Sequence, residues 1–151
     1  MKHLLLISLL LTGSLFADFK VGDKLPTITL LDQFDKEFSV EAKDRLLIMA
    51  FEKDISVVVN EYLKTKPGTY LASHNAKYIS DISSMPSFIT SMFALPKMKK
   101  YPFSVMLIND DFGEQFNTQE GKITVYTLKK NKIIEIRYVT PEAFPQIFPQ
   151  G

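Results

Sequence analysis

Few side chains in this sequence could do chemistry, and type and spacing dismiss most of their combinations. Cysteine is absent from the 151 residues, which removes disulfides, thiol nucleophiles, thiolate zinc sites and iron–sulfur clusters together. Histidine occurs only at His3 and His74. Ser56 as a hydrolytic nucleophile would need an adjacent base and an orienting acid. No G-x-S-x-G turn surrounds it, and His74 falls in a loop beyond the following helix, so Ser56 reads as a helix-start serine. Zinc wants three or four His, Cys or carboxylate ligands, and this chain does not supply them. Asp110, Asp111 and Glu120 surround Gly113 without the alternating oxygen ligands of a calcium loop; they read as a solvated turn. Asp54 and Asp81, near predicted strand ends, are the carboxylates that would serve an enzyme of another kind, but no spacing supports a specific reaction.

Other patterns point to surfaces. Met85, Phe88, Met92 and Phe93 recur at helical spacing, which beside a sheet makes a core-facing stripe; the alternative is an adaptable protein-binding face. Lys97, Lys99 and Lys100 precede Tyr101 and read as a solvated helix end, favourable to cations through the helix dipole. The alternative there is a contact for an acidic partner. Lys and Arg number 18 against 17 Asp and Glu, so there is no basic excess to neutralise phosphates, which argues against nucleic-acid binding as the main role. A chain with 46% hydrophobic and 23% charged residues is globular in composition, and its length suits one domain.

Residues 1–17 (MKHLLLISLLLTGSLFA) read as a targeting segment. Lys2 opens it, residues 4–11 are apolar apart from Ser8, Gly13 and Ser14 loosen the chain, and Ala17 is small enough to precede a cleavage site. The apolar stretch falls short of the roughly 20 residues that a spanning helix needs. The expectation is a cleaved secretory signal ahead of a domain over residues 18–151; an uncleaved anchor and a buried core helix are the other readings. Without cysteine no lipid can be attached at that site. Cleavage would remove Lys2 and His3 and no acid, leaving a neutral domain with His74 as its one histidine. The expected destination is the periplasm, with no stable membrane span after cleavage.

The elements that must position these side chains follow from periodicity. Residues 27–32 and 37–40 read as a hairpin turning at 33–36. Residues 46–51 (LLIMAF) form a continuous apolar run, the mark of a strand buried on both faces. Asp54 offers a helix cap, and Ile55, Val58, Val59 and Tyr62 keep helical spacing until Lys66-Pro67-Gly68 stops it, although three successive valines disfavour a helix. Residues 76–82 form the next strand. Ser83 or Ser84 then caps a second helix with Pro86 in its first turn and Pro96 at its close. Residues 103–109 make another buried strand, with a turn at 110–113. Residues 122–128 and 133–139 pair as a hairpin through 129–132, with Asn131 left-handed. Thr140-Pro141-Glu142 starts a last short helical piece, kept short by Pro145. The order implies an α/β fold, a mixed central sheet with helices on both faces and an N-terminal β-hairpin.

On these residues the chain resembles thioredoxin-like proteins. Val21-Gly22-Asp23-Lys24-Leu25-Pro26, followed by Thr29-Leu30 and Asp32-Gln33-Phe34-Asp35, resembles the entrance hairpin of the peroxiredoxin and periplasmic thioredoxin-like branch. Lys100-Tyr101-Pro102-Phe103-Ser104 is similar to the segment in which a cis-proline opens the fourth strand of the thioredoxin fold. The later order, through residues 123–132 and Thr140-Pro141-Glu142, is similar to the YtfJ-type family of exported thioredoxin-fold proteins. The resemblance covers nearly all of residues 21–148 and implies that fold. It also implies a site. Ser56 stands where the attacking cysteine of a redox-active thioredoxin would be, Val59 at the resolving cysteine and Ala50 at the acidic proton shuttle. Tyr101 and Pro102 would form the neighbouring loop that holds extended peptides through main-chain hydrogen bonds.

A serine hydroxyl without an activating base is a poor nucleophile, and valine cannot resolve a mixed disulfide. The expectation is therefore an exported, non-redox thioredoxin-fold module, free of cofactor and metal, that binds a peptide or protein segment near Ser56, Val59, Tyr101 and Pro102. Two alternatives stay open. One is an enzyme of unidentified reaction on the same scaffold; the other is a structural envelope component that pairs through an edge strand at 133–139. One test needs no structure. The purified protein should show no turnover above the uncatalysed background in dithiothreitol-linked insulin reduction or in hydroperoxide consumption.

Overall fold

In the computed structural model residues 18–149 are described; the leader expected at residues 1–17 lies outside them. The chain first makes a small antiparallel hairpin, β1 (Thr29–Leu31) and β2 (Glu37–Ser39), with shorter strands than the pattern suggested. Asp32 organises its turn, Oδ1 accepting hydrogen bonds from the backbone N–H groups of Phe34 and Lys36 at 2.8 and 2.9 Å, the local bonding that suits aspartate to turns. β3 (Leu46–Ala50) follows, buried at all five residues. α1 (Lys53–Lys64) begins after Glu52, so Asp54 lies in its first turn and is not the cap. Glu52 supplies the extended backbone of a cap, while its carboxylate accepts from the Gly121 N–H at 2.9 Å. The valines are tolerated because Ile55, Val59 and Leu63 bury one side of the helix, and packing outweighs propensity. A one-turn helix that periodicity missed, α2 (Tyr70–Ser73), precedes β4 (Ala76–Asp81).

Beyond β4 the chain is helical over residues 87–98: α3 (Ser87–Ile89), a π-type turn over Thr90–Ala94, then α4 (Leu95–Met98). Pro86, and neither Ser83 nor Ser84, is the capping residue. Pro96 sits inside the run and does not end it. A proline within a helix has no N–H to donate and crowds the carbonyl four residues back; the wider π turn ahead of Pro96 opens the ladder at that point. β5 (Met106–Ile108) comes next. The expected turn at 110–113 is a 3-10 helix, Asp111–Gln115, whose Phe112 N–H is capped by the Asp110 side chain at 2.9 Å. β6 (Ile123–Lys129) and β7 (Lys132–Val139) are joined by Lys130 and Asn131, with φ of 50° and 64°. That is the left-handed pair a two-residue hairpin turn needs; Asn131 was expected there, and the lysine adopts it too. A 3-10 helix, Phe144–Ile147, closes the described chain.

The main sheet runs β5-β4-β3-β6-β7. β3 is parallel to β4, and β4 to β5, while β6 is antiparallel to both β3 and β7. Along β3, Leu46, Ile48 and Ala50 face one apolar cluster and Leu47 and Met49 the other, as the two-residue period of a strand dictates. The α-helices contribute to the first cluster only, together with Phe144, Ile147 and Phe148. The second face is covered instead by the N-terminal arm and hairpin, through Leu25, Ile28 and Phe38, and by Phe112 and Phe116 of the 3-10 segment. The expected mixed sheet with flanking helices and an N-terminal hairpin is present, with the α-helices on one face and a 3-10 helix on the other.

Both edges of the sheet are partly covered. At β7, Gly22 N–H donates to the Ile133 carbonyl at 2.7 Å and Ile133 N–H to Asp23 at 2.9 Å, so the arm pairs with the start of that strand only. At β5 the cover is the β1–β2 turn. Asp32 bridges Met106, and the buried Gln33 side chain behaves like a strand partner. Its Nε2 donates to the carbonyls of Phe103 at 2.7 Å and Met98 at 3.2 Å, and its Oε1 accepts from Val105 N–H at 2.8 Å. Gln33→Ala takes from the Phe103 carbonyl and the Val105 N–H the partner that Gln33 supplies, while the Met98 carbonyl keeps the Tyr101 N–H, and a cost of about 2–4 kcal/mol in urea unfolding is expected.

Candidate functional site

The first residues of α1 and the last of β4 meet at the carboxyl end of the parallel strands. Ser56, in the first turn of α1, donates its N–H to the Glu52 carbonyl at 2.9 Å, and its Oγ lies 2.8 Å from Ser80 Oγ. Ser80 is a buried residue near the end of β4. Two residues earlier on the same face, the fully buried Tyr78 brings its hydroxyl beside the serine pair. Burial pushes the Tyr78 pKa well above that of an ordinary tyrosine, and the neighbouring Ser56 and Ser80 hydroxyls offset part of the rise. They do so without good bonding geometry, because the Tyr78 hydroxyl has no hydrogen-bond partner among the described residues.

Above this hydroxyl cluster is a cavity of about 440 Å³, between α1 and the helical run over 87–98. Val57, Ile82, Met85, Ile89 and Phe93 give it apolar walls, and Ser56, Ser80, Asn60 and Tyr101 give it polar points. Asn60 is only 7% exposed, and its Oδ1 has no partner among the described residues. Tyr101 stacks on Phe103 at 5.1 Å, with the Lys64 ammonium 5.8 Å from its ring centre. Burial raises its pKa, the Lys64 charge opposes that, and Glu61 adds to it.

Of the four residues expected to form the site, Ser56 and Tyr101 do line this cavity. Val59 does not: it points into the core with no exposure, one helical turn from Ile55 and Leu63. Pro102 does not line it either. Every peptide bond among the described residues is trans, which corrects the expected cis-proline; trans is the intrinsic preference even before proline. Pro102 leads into the sheet-edge strand β5, whereas the strand antiparallel to β3 is β6, preceded by Gly121 and Lys122. The Pro102 carbonyl packs against Gly68 so closely that a Cβ there would stand 2.6 Å from it. The Tyr101 N–H is bonded to the Met98 carbonyl at 3.0 Å.

The expected core stripe is corrected as well. Phe88, Met92 and Phe93 are 60%, 66% and 62% exposed. Ala94, Leu95 and Met98 pack inward instead, because the π turn changes the angular step between residues and rotates the inward face. Asp54 is exposed. Asp81 borders the cavity with Oδ1 accepting from Ser83 N–H at 2.9 Å and its other oxygen packed against Gly113; no second carboxylate lines the cavity. His74 is held between the rings of Tyr70 and Phe148, 4.4 and 5.2 Å away. Among the described residues no three His, Cys, Asp or Glu side chains are grouped to hold a metal ion. Sequence reasoning missed Ser80 and Asn60. Their only signals are spacing: Ser80 shares the strand face of Tyr78, and Asn60 follows Ser56 by four residues on a helix.

Known structures share this architecture. Peroxidoxin BcpB of Mycobacterium tuberculosis superposes with a TM-score of 0.55 at 14% identity, covering 85% of this chain and 92% of the other. The thioredoxin domain of a thiol-disulfide oxidoreductase of Bacteroides vulgatus superposes with a TM-score of 0.54 at 13% identity, covering 86% and 96%. The fold is thioredoxin-like, shared with thiol-disulfide oxidoreductases by a chain that has no cysteine. No protein-family profile matches the sequence, and no curated protein matches it significantly.

The buried hydroxyls carry a pH signature. Burial also holds Tyr126 well above the ordinary tyrosine pKa. Unfolding lets Tyr78 and Tyr126 ionise near pH 10, so the unfolded chain binds fewer protons there and stability falls as pH rises past about 10. Tyr78→Phe should change stability at pH 7 by less than about 1 kcal/mol, because the hydroxyl makes no bond, and should lessen the alkaline fall. Urea unfolding at pH 7 and pH 10.5 measures both.

Proposed function

We propose that the protein is an exported, non-redox thioredoxin-fold binding module whose cavity receives an apolar side chain of a peptide or protein segment. The observation that carries this reading is the 440 Å³ cavity itself: apolar walls over a few convergent polar groups, of a size that takes a ligand or a large side chain. Ser56 occupies the position that a reactive cysteine would need; its hydroxyl is engaged with Ser80, while the only described histidine, His74, is held against Tyr70 and Phe148. The site therefore offers shape and hydrogen bonding and no activated nucleophile. Side-chain capture is proposed in place of the strand addition first expected, because the Tyr101 N–H is bonded to Met98 and Asp32 bridges Met106 on the outer edge of β5.

Export rests on the targeting pattern of residues 1–17, and a place among YtfJ-type exported proteins rests on the later order of the chain through residues 123–132 and Thr140-Pro141-Glu142. No helix among the described residues is long and apolar enough to cross a membrane. A structural role through β7 is a second reading, favoured by Ile134, which is 48% exposed on the part of that strand beyond the N-terminal arm. Photocrosslinking in the native envelope separates the two. A crosslinker at Val57, on the cavity wall, should capture a discrete partner that a crosslinker at Lys130 does not. Capture at neither position would overturn the cavity reading, and capture only from Ile134 would favour the structural one.

A further inference from the structure

The helical run over residues 87–98 presents to solvent what a soluble face normally hides. Phe88 and Met92 are one turn apart and Phe93 lies beside them, each at least 60% exposed. Side chains exposed to that degree project from the surface as a ridge, and of the three only Phe93 also borders the cavity. The same stretch is one-sided in charge. No Asp or Glu occurs between Asp81 and Asp110, whereas Lys97, Lys99 and Lys100 do. All three lysines are exposed, and none joins a salt bridge among the described residues. In a chain that is otherwise nearly neutral, this places a local positive field next to an apolar crest.

We propose that this ridge docks the protein on an anionic lipid bilayer, a role beyond the cavity binding described above. A protein partner would have to supply a matching hollow and acidic groups at fixed positions. A bilayer supplies both without fixed geometry: acyl chains deform around Phe88, Met92 and Phe93, and headgroup phosphates meet the lysines wherever their flexible stems reach. Phe93 also borders the cavity, so docking would set the cavity mouth near the membrane surface.

The absence of cysteine makes the test site-specific. The full chain, as recovered from cells that process it, would carry Met92→Cys or Lys129→Cys, each labelled with an environment-sensitive nitrobenzoxadiazole. Lys129 lies at the opposite end of the sheet, where β6 turns into β7. With vesicles of phosphatidylglycerol and phosphatidylcholine, the label at 92 should shift to the blue and brighten several-fold, and the label at 129 should not. Pure phosphatidylcholine vesicles should give little change. Combining K97E, K99E and K100E should weaken the response at least tenfold in lipid concentration, with the circular dichroism spectrum unchanged. No response at 92, an equal response at both positions, or indifference to anionic lipid would overturn the proposal. So would a label at 92 that ignores vesicles but responds to a lipid-free envelope protein extract, which would assign the ridge to a protein partner.

Discussion

Strand β3 has a partner on each edge, parallel β4 and antiparallel β6, and an apolar cluster on each face. Its five residues are all buried, so it can carry no polar side chain exposed to a ligand anywhere along its length. The first place where the chain can offer chemistry is past the carboxyl end of that strand, where α1 starts and β4 stops. Crevices at the carboxyl ends of parallel strands are the general location of ligand sites in such sheets. The meeting of Ser56 with Ser80, the buried Tyr78 hydroxyl beneath them and the cavity above follow from that single constraint.

What fills the site is a change of chemistry on a preserved body. The corner holds hydroxyls, an asparagine and apolar walls. A fold does not bring its usual activity with it when the reacting groups are gone. The Ser56 and Ser80 hydroxyls bond each other, and burial is the main cause of the strong rise in the Tyr78 pKa beneath them. At the sheet edge, Gln33 ties the N-terminal hairpin to Met98, Phe103 and Val105. Through Met98, which also borders the cavity, the hairpin helps set the cavity's far wall.

That far wall is the helical run over 87–98, and its geometry is unusual for a local reason. Pro96 inside the helix is accompanied by a π turn over Thr90–Ala94. The wider turn brings Ala94, Leu95 and Met98 to the core and leaves Phe88, Met92 and Phe93 outside. The run thus presents a solvent-facing apolar crest that lysines follow in the sequence.

Strand identity and order, the hairpins and the absence of thiol chemistry were legible in the amino-acid sequence. Those features rest on local rules: the continuous run at 46–50 can be stable only between two layers, Asn131 suits a left-handed turn, and no arrangement of a chain without sulfhydryls makes a disulfide. Tertiary structure alone decided which side chains share a site. Ser80 joins Ser56 because the end of β4 meets the first turn of α1, a long-range contact that no local pattern encodes, while Asn60 joins it from one turn further along the same helix. Val59 and Pro102 leave the site for the same kind of reason, the first rotated into the core by its helix and the second assigned to the edge strand by the order of the sheet. The face of residues 87–98 depended on how a helix accommodates a proline, which shifts the angular register that periodicity assumes constant.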